Sequence, residues 1–240
     1  MSKQRKSETV LSQRPDHATL LRKVYDRLFA DYGPQHWWPA KTKFEVIVGA
    51  VLTQNTAWTN VVKAIANLEA AGLMSPAAIR AADQQELARL IFSSGYYNMK
   101  ARKLKAITEY IGARFNDDID AMSQVDLPTL RRELLAVHGI GEETADDILV
   151  YAAGKPSFVI DTYTRRLLHR LGIAPEQGPY DLYQGIFHEA VAEDTTLFGE
   201  YHGLIVRHAK VSCRKEPVCE GCVLADICAR PKASGARRPG

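Results

Sequence analysis

Apolar residues recur along this chain mainly at the three- and four-residue spacing of a helix. In HATLLRKVYDRLFAD (17–31), Leu20, Leu21, Val24, Leu28 and Phe29 share one face. The next stretch, YGPQHWWPAK, is punctuated by Gly33, Pro34 and Pro39 and reads as a loop. FEVIVGAVL (44–52) is an apolar run interrupted only by Glu45, a pattern that suits a buried strand as well as a buried helix. No convincing strand accompanies it, so it is read as a helix. From Trp58 onward, Val61, Val62, Ile65 and Leu68 repeat at helical spacing. Further helices are expected at 76–82, 84–92, 98–115, 127–137, 142–153, 162–172, 179–192 and 195–211. The pattern predicts an all-α fold with short connections, without internal repeats or coiled-coil heptads.

One connection stands out. LLAVHGIGEETADDILVYAAG (134–154) reads as helix, His138-Gly139-Ile140-Gly141, helix. A Gly-x-Gly turn lets a partner come close to the backbone, because no Cβ intervenes. The second helix starts at the turn with its first N–H groups free to meet a phosphate oxygen. Ile140 is placed to tuck between the helices. This is the layout of a helix-hairpin-helix that grips a DNA backbone without reading sequence, although an ordinary αα-turn with a glycine cap has the same outline.

Length and composition narrow the classes. With 240 residues, 46% hydrophobic and 25% charged, the chain is an ordinary globular protein, and extensive disorder or a collagen-like fibre is excluded. No apolar run approaches the roughly 18 residues of a membrane span. The N-terminal MSKQRKSETV has no apolar stretch behind its basic residues, so a cytoplasmic, nucleoid-associated protein is expected. The net charge of +3 is unevenly spread. Residues 1–15 carry +3 and residues 210–240 carry +4, which leaves the middle near −4. Basic ends on a mildly acidic body suit a polyanion such as nucleic acid.

All four cysteines fall within sixteen residues, as Cys213-x5-Cys219-x2-Cys222-x5-Cys228. Disulfides are improbable in a reducing compartment, so the group reads as one metal site. Structural zinc usually takes two close pairs split by a longer spacer. Only the central pair is close here, which suits a loop wrapping an iron–sulfur cluster better than zinc. Asp161, in FVIDTYTRRLLHRLG (158–172), follows a short apolar segment and precedes a helix. It is either a helix cap or a carboxylate fixed at a helix start and aimed into a cleft.

Together the hairpin, Asp161 about twenty residues on and the cysteines about fifty further resemble the endonuclease III superfamily of helix-hairpin-helix DNA glycosylases, over roughly residues 20–230. The resemblance implies two all-α lobes with damaged double-stranded DNA across the cleft and a base flipped out. The expected lobes are 16–40 plus 158–211, carrying the terminal helices, and 41–157, with six helices including the hairpin. A cluster loop at 212–230 and basic tails at 1–15 and 231–240 complete the chain. By the resemblance Asp161 is the catalytic aspartate and the four cysteines hold a 4Fe-4S cluster, although the usual first gap is one residue longer. Gln54, in LTQNT, fills the hole left by the flipped base. His138, Gly139, Ile140, Gly141 and Thr144 in the hairpin, with Arg214 and Lys215 in the cysteine loop, contact DNA.

Bifunctional members have a lysine in the second hairpin helix, in a pattern like G-x-G-x-K-T-A. Here Glu143 takes that position, in Gly139-Ile140-Gly141-Glu142-Glu143-Thr144-Ala145. A carboxylate forms no Schiff base, so a monofunctional glycosylase without lyase activity is expected. The stretches WWPA-x3-FE-x3-GAVLTQNT, SSGYYNMKARKL and GIGEETADDIL are similar to the third type of bacterial 3-methyladenine DNA glycosylase. That implies a pocket lined by Trp37, Trp38, Pro39 and Trp58, with Lys210 near its edge, excising alkylated purines as a monomer. The members most closely comparable lack the cysteine loop. Two alternatives stand beside this reading: a glycosylase for uracil, mismatched thymine or oxidised pyrimidines, and a non-enzymatic damage-sensing DNA-binding protein.

Overall fold

The computed structural model describes residues 16–229, so the expected tails at 1–15 and 231–240, and Arg230, lie outside the described residues. Among the described residues there are eleven α-helices and no strand. None of their helices is long and apolar enough to cross a membrane.

The apolar stripe of α1 (His17–Tyr32) buries Leu20, Leu21, Val24 and Leu28. Phe29, expected on the same face, is exposed and stacks on Tyr25. The helix stops at Gly33, whose φ of 66° turns the chain while its N–H donates to the Phe29 carbonyl. The apolar run becomes α2 (Lys43–Thr53), buried at every residue from Phe44 to Leu52. Its start is fixed reciprocally. Thr42 Oγ1 accepts the Glu45 N–H at 3.1 Å, and Glu45 Oε2 accepts the Lys41 N–H at 2.9 Å.

Around α2 pack α3 (Trp58–Ala70) and the long α6 (Tyr97–Phe115). Between them come α4 (Pro76–Ala81), capped by Ser75, and α5 (Gln84–Leu90), capped by Asp83. Next are α7 (Leu127–Ala136), capped by Asp126 Oδ1 on the Thr129 N–H at 2.9 Å, and α8 (Glu142–Asp147). The helix expected over 142–153 does not run through as one α-helix. After Asp147 the backbone widens into a π-turn, Ile148–Ala152, in which Ala153 N–H reaches back five residues to the Ile148 carbonyl at 2.9 Å. Phe158, Val159 and Ile160 follow as a fully buried segment, and then come α9 (Thr162–Leu171), α10 (Tyr180–Ala190) and α11 (Thr195–Val211). The helix expected over 84–92 ends at Leu90, and Phe92 begins a short 3-10 turn, Phe92–Ser94; a second, Asp120–Gln124, lay outside the helical pattern read from sequence.

The chain divides into two compact units. One holds His36–Asp161 with Glu193–Gly203, and so contains the hairpin. The other holds the described parts of Met1–Gln35, Thr162–Ala192 and Leu204–Gly240. The expected lobe boundaries, 16–40 plus 158–211 against 41–157, therefore shift. Trp37 to Pro39 and residues 158–161 belong with the hairpin. Trp38 packs on Trp58 and Tyr151, and Phe158 packs edge-on against Phe198 and Tyr201, all within that unit.

Behind the hairpin sits a buried ion pair. Arg131 of α7 donates to both carboxylate oxygens of Asp146 in α8 at 3.0 and 3.2 Å, and the Ser157 hydroxyl adds a third bond at 2.7 Å. Asp146 has no solvent exposure. Removing the guanidinium strands that charge, which costs about 3–5 kcal/mol. Arg131→Met is therefore expected to lower unfolding free energy by that amount in a urea titration, whereas the surface pair Lys43–Asp120 changes it by less than about 1 kcal/mol when broken.

Candidate active site in the hairpin unit

The hairpin turn folds as its glycines require. Gly139 has φ 81°, and a Cβ there would lie 2.4 Å from Lys103 Cγ. Glycine is thus needed for both conformation and space. Ile140 is buried between the helices, whereas His138 and Gly141 are exposed. Gly141 caps α8 without a side-chain acceptor.

Gln54 is tied to this turn. Its Nε2 donates to Thr144 Oγ1 at 2.8 Å and to the Gly139 carbonyl at 3.4 Å, and its Oε1 accepts from Lys103 Nζ. Lys100, one turn before Lys103, is buried and donates to the carbonyls of Leu52 and Ser94 at 2.8 and 2.6 Å. Burial, with Lys103 nearby, pulls its ammonium down to about 8. Gln54, Asn55, Tyr96, Met99 and the two lysines line a cavity of about 270 Å³. Asn55 and Tyr96 both adopt left-handed backbone there, and the Tyr96 ring is exposed. Lys103 and Tyr96 lie in the stretch SSGYYNMKARKL, but the sequence reading gave neither a role.

The three tryptophans meet. Ring centroids lie 5.8 Å apart for Trp37–Trp38, 6.4 Å for Trp37–Trp58 and 5.4 Å for Trp38–Trp58, and all three rings are half-buried. Pro39 follows them, exposed. Gly49 makes the seat for Trp38: a Cβ at Gly49 would sit 3.2 Å from the indole nitrogen. The aromatic surface continues through Tyr151, whose ring is 5.5 Å from that of Trp38, to His202, 6.1 Å further on.

His202 leads to Asp161. Tyr151 Oη lies 2.7 Å from His202 Nδ1 and 3.2 Å from the Gly199 carbonyl, and His202 Nε2 lies 3.6 Å from Asp161 Oδ2. One hydroxyl proton cannot serve both partners fully. Donation along the shorter contact, to Nδ1, leaves the proton on Nε2 and points it at the carboxylate. Asp161 keeps 13% side-chain exposure at the end of the buried 158–160 segment. Tyr151 and His202 were not found from sequence. They lie 10 residues before and 41 after Asp161, and only the fold brings them to it.

Asp147 was also missed. It stands one helical turn after Glu143 and one before Tyr151, and it is 7% exposed. Its Oδ1 is fully enclosed with no hydrogen-bond partner. Burial first, then the charges of Glu143, Asp161 and Asp146, hold its carboxyl well above the usual carboxylate range. Glu143 itself is exposed in the first turn of α8, where an acid suits the helix dipole.

The cysteines lie in the other unit. All four are free and line a cavity of about 510 Å³ together with His208 and Arg170. Among the described residues, no group of three or more His, Cys, Asp or Glu is spaced to hold one metal ion. Arg170, again without a motif, organises this loop. Its Nη1 donates to Cys213 Sγ at 3.1 Å and to the Arg214 carbonyl at 2.7 Å, and its Nη2 to the Lys215 carbonyl at 3.1 Å. Arg27 clamps the loop from α1 through Asp226 and the Val223 carbonyl. Arg214 and Lys215 are exposed, as is Lys210 in the last turn of α11.

A family profile described as "HhH-GPD superfamily base excision DNA repair protein" matches residues 48–192. A Methanocaldococcus jannaschii protein provisionally named a DNA repair glycosylase is 43% identical over 210 residues, 87% of this chain and 96% of its own. Endonuclease III of Sulfolobus acidocaldarius is 31% identical, covering 77% of this chain and 81% of its own. Among solved structures, H. pylori 3-methyladenine DNA glycosylase (MagIII) bound to 1,N6-ethenoadenine aligns with TM-score 0.70 and 31% identity, over 82% of this chain and 98% of that one. A trapped endonuclease III–DNA covalent intermediate shares the fold at TM-score 0.76 and 21% identity, over 88% and 95%. With its hairpin built and Asp161 set beside His202, the chain belongs to the HhH-GPD superfamily and is a DNA glycosylase of base excision repair.

Proposed function

We propose that this enzyme is a monofunctional glycosylase for alkylated purines, 3-methyladenine first among them. The observation that carries the reading is the continuous aromatic surface of Trp37, Trp58, Trp38 and Tyr151 leading to Asp161. A flipped N3-methylated adenine carries positive charge, and electron-rich indole faces favour such a ring over a neutral one by about 0.5–2 kcal/mol. Such a base leaves readily once the sugar cation is stabilised. Asp161 supplies the anion for the oxocarbenium-like sugar and orients the attacking water, with His202 Nε2 3.6 Å from the carboxylate. The similarity to the H. pylori 3-methyladenine glycosylase supports the same substrate class.

Glu143 supports hydrolysis over lyase chemistry, since no amine stands at that position for an imine. Gln54, His138, Gly139, Ile140, Gly141 and Thr144 form the DNA-facing hairpin of this proposal, with Gln54 filling the vacated stack. Tyr96, exposed beside Gln54, adds a flat ring to that surface. In this proposal the enzyme acts as a cytoplasmic monomer.

Cys213, Cys219, Cys222 and Cys228 would hold the 4Fe-4S cluster. Arg170 Nη1 against Cys213 Sγ fits a thiolate there, since it is a cationic donor with sulfur as acceptor. A bound cluster would supply a rigid, redox-active centre to the loop. Arg170 meanwhile fixes the backbone of Arg214 and Lys215, and while Arg214 Nε donates to the Lys210 and Val211 carbonyls at 3.0 and 3.1 Å, both exposed side chains stand at the loop surface for phosphates. The second reading, an endonuclease III-like pyrimidine glycosylase, is favoured by the cysteine loop and by the Sulfolobus relative.

A base-release screen decides between them. Methylated DNA is expected to yield free 3-methyladenine and an intact abasic strand, with no adduct trapped by borohydride. Release confined to uracil or oxidised pyrimidines would overturn the reading. Asp161→Asn keeps a helix-capping group but loses the charge, so excision is expected to fall at least 100-fold with DNA affinity retained. Trp58→Ala should weaken lesion binding by roughly 1–3 kcal/mol in fluorescence titrations. Protein prepared without oxygen should contain about four irons per chain by metal analysis, and Cys222→Ser should lose them; stoichiometric zinc instead would refute the cluster.

A further inference from the structure

The buried carboxyl of Asp147 has no role in the chemistry above. It shares the helix face of Glu143 and Tyr151, and it is coupled electrostatically to Asp161. Tyr151 in turn packs on Trp38 and bonds His202. Asp147 therefore stands one helical turn from the Tyr151 ring that continues the aromatic surface, and feels the charge of Asp161. Asp146, its neighbour in sequence, is satisfied by Arg131 and Ser157, whereas Asp147 keeps an enclosed oxygen with no partner. A buried polar group left in that condition calls for a partner, and a ligand's own polar atom can supply it. A carboxyl among three other acids serves as a neutral O–H donor, which meets a lone pair rather than a cation.

We propose that Asp147 is a proton donor to the flipped base, so that the pocket excises neutral purines as well as methylated cations. This rests on the alkylpurine reading above. A neutral purine is a poor leaving group because the electron pair of the C1′–N9 bond must stay on the ring. Transfer of the Asp147 proton to a ring nitrogen with a free lone pair lets that pair be accommodated as the bond breaks. Water then adds to C1′, its proton passes to solvent, and Asp147 is reprotonated from solvent. The products are the free base and an abasic sugar. A base that is already cationic needs no such proton, so the two classes respond differently to loss of Asp147.

The test is single-turnover base release by the wild type and Asp147→Asn, on duplexes carrying 1,N6-ethenoadenine or hypoxanthine and on 3-methyladenine-containing DNA. The wild type is expected to release all three. Asp147→Asn is expected to lower release of the neutral bases at least 100-fold and of 3-methyladenine less than 3-fold. Release of the neutral bases by the wild type should also fall as pH rises, and this limb should vanish in the variant. The groups facing Asp147 are Glu143 and Asp146 on its own helix, Tyr151 on the π-turn and Asp161 on the following segment, with His202 and Glu200 of α11 acting through Tyr151.

An equal fall for both classes would overturn the proposal and make Asp147 a structural or counter-ion residue. So would release of 3-methyladenine alone by the wild type. A wild type that releases no purine at all overturns the alkylpurine reading and the proposal with it. Folding is monitored separately. The folded-state value of Asp147 is raised, so its contribution to stability is full below the unfolded-state value and is lost as pH rises through the folded one. Asp147→Asn should therefore gain stability relative to the wild type as pH rises, and a variant that is instead less stable at every pH would count against a neutral, unpartnered carboxyl.

Discussion

A buried carboxyl must be paired or give up its charge, and the hairpin unit is arranged around three that solve this differently. Asp146 is matched by the Arg131 guanidinium and the Ser157 hydroxyl, and this pair ties α7 to α8 behind the turn. Asp161 retains some solvent contact and faces the edge of His202. Asp147 keeps an enclosed oxygen with no hydrogen-bond partner, and burial holds its carboxyl well above the usual carboxylate range. The π-turn that starts directly after Asp147 and holds Tyr151 is part of the same arrangement. By shifting the helix register it delivers the phenol to His202, and through it to Asp161.

The aromatic surface depends on an equally local constraint. Because α2 is buried from Phe44 to Leu52 and carries Gly49 in its middle, the Trp38 indole seats directly on helix backbone. Any side chain at 49 would push the ring outward, since even a methyl carbon meets it at 3.2 Å. The same constraint recurs at the hairpin, where Gly139 makes room for the Lys103 stem and so lets Lys103 reach Gln54. In both cases a missing Cβ positions a functional side chain on another element.

The helices were legible because their signals are local: apolar spacing in α1 and α3, Ser75, Asp83 and Asp126 at caps, Gly33 at a stop. The hairpin and the four cysteines were legible because their residue types are rare in those spacings. Asp147, Tyr151, His202, Lys103 and Arg170 were not. Each is an ordinary residue in a helix or helical turn, and its importance arises from what the fold sets opposite it. Asp146 and Asp147 show the limit most clearly, since no local rule separates two adjacent aspartates of which one is paired and the other is not. The two compact units divide the chain differently from the expected lobes for a related reason. The pattern marks Trp37 to Pro39 as a loop but says nothing of the rings onto which that loop folds.

Glu143 and Asp147 gain meaning when read together. They occupy successive turns of one helix face, and Asp161 lies close enough to both Asp147 and Tyr151 to perturb them. A lysine at 143 would bring an ammonium to this acidic group, favour the ionised form of Asp147 and remove its proton from use. Glutamate does the reverse. Its negative charge adds to that of Asp161 and keeps the Asp147 proton in place. On the proposed mechanism, one substitution therefore removes the amine that lyase chemistry needs and also sustains the neutral acid that a poor leaving group needs. Loss of imine chemistry and access to neutral purines then follow from the same charge balance, without requiring any change in the backbone.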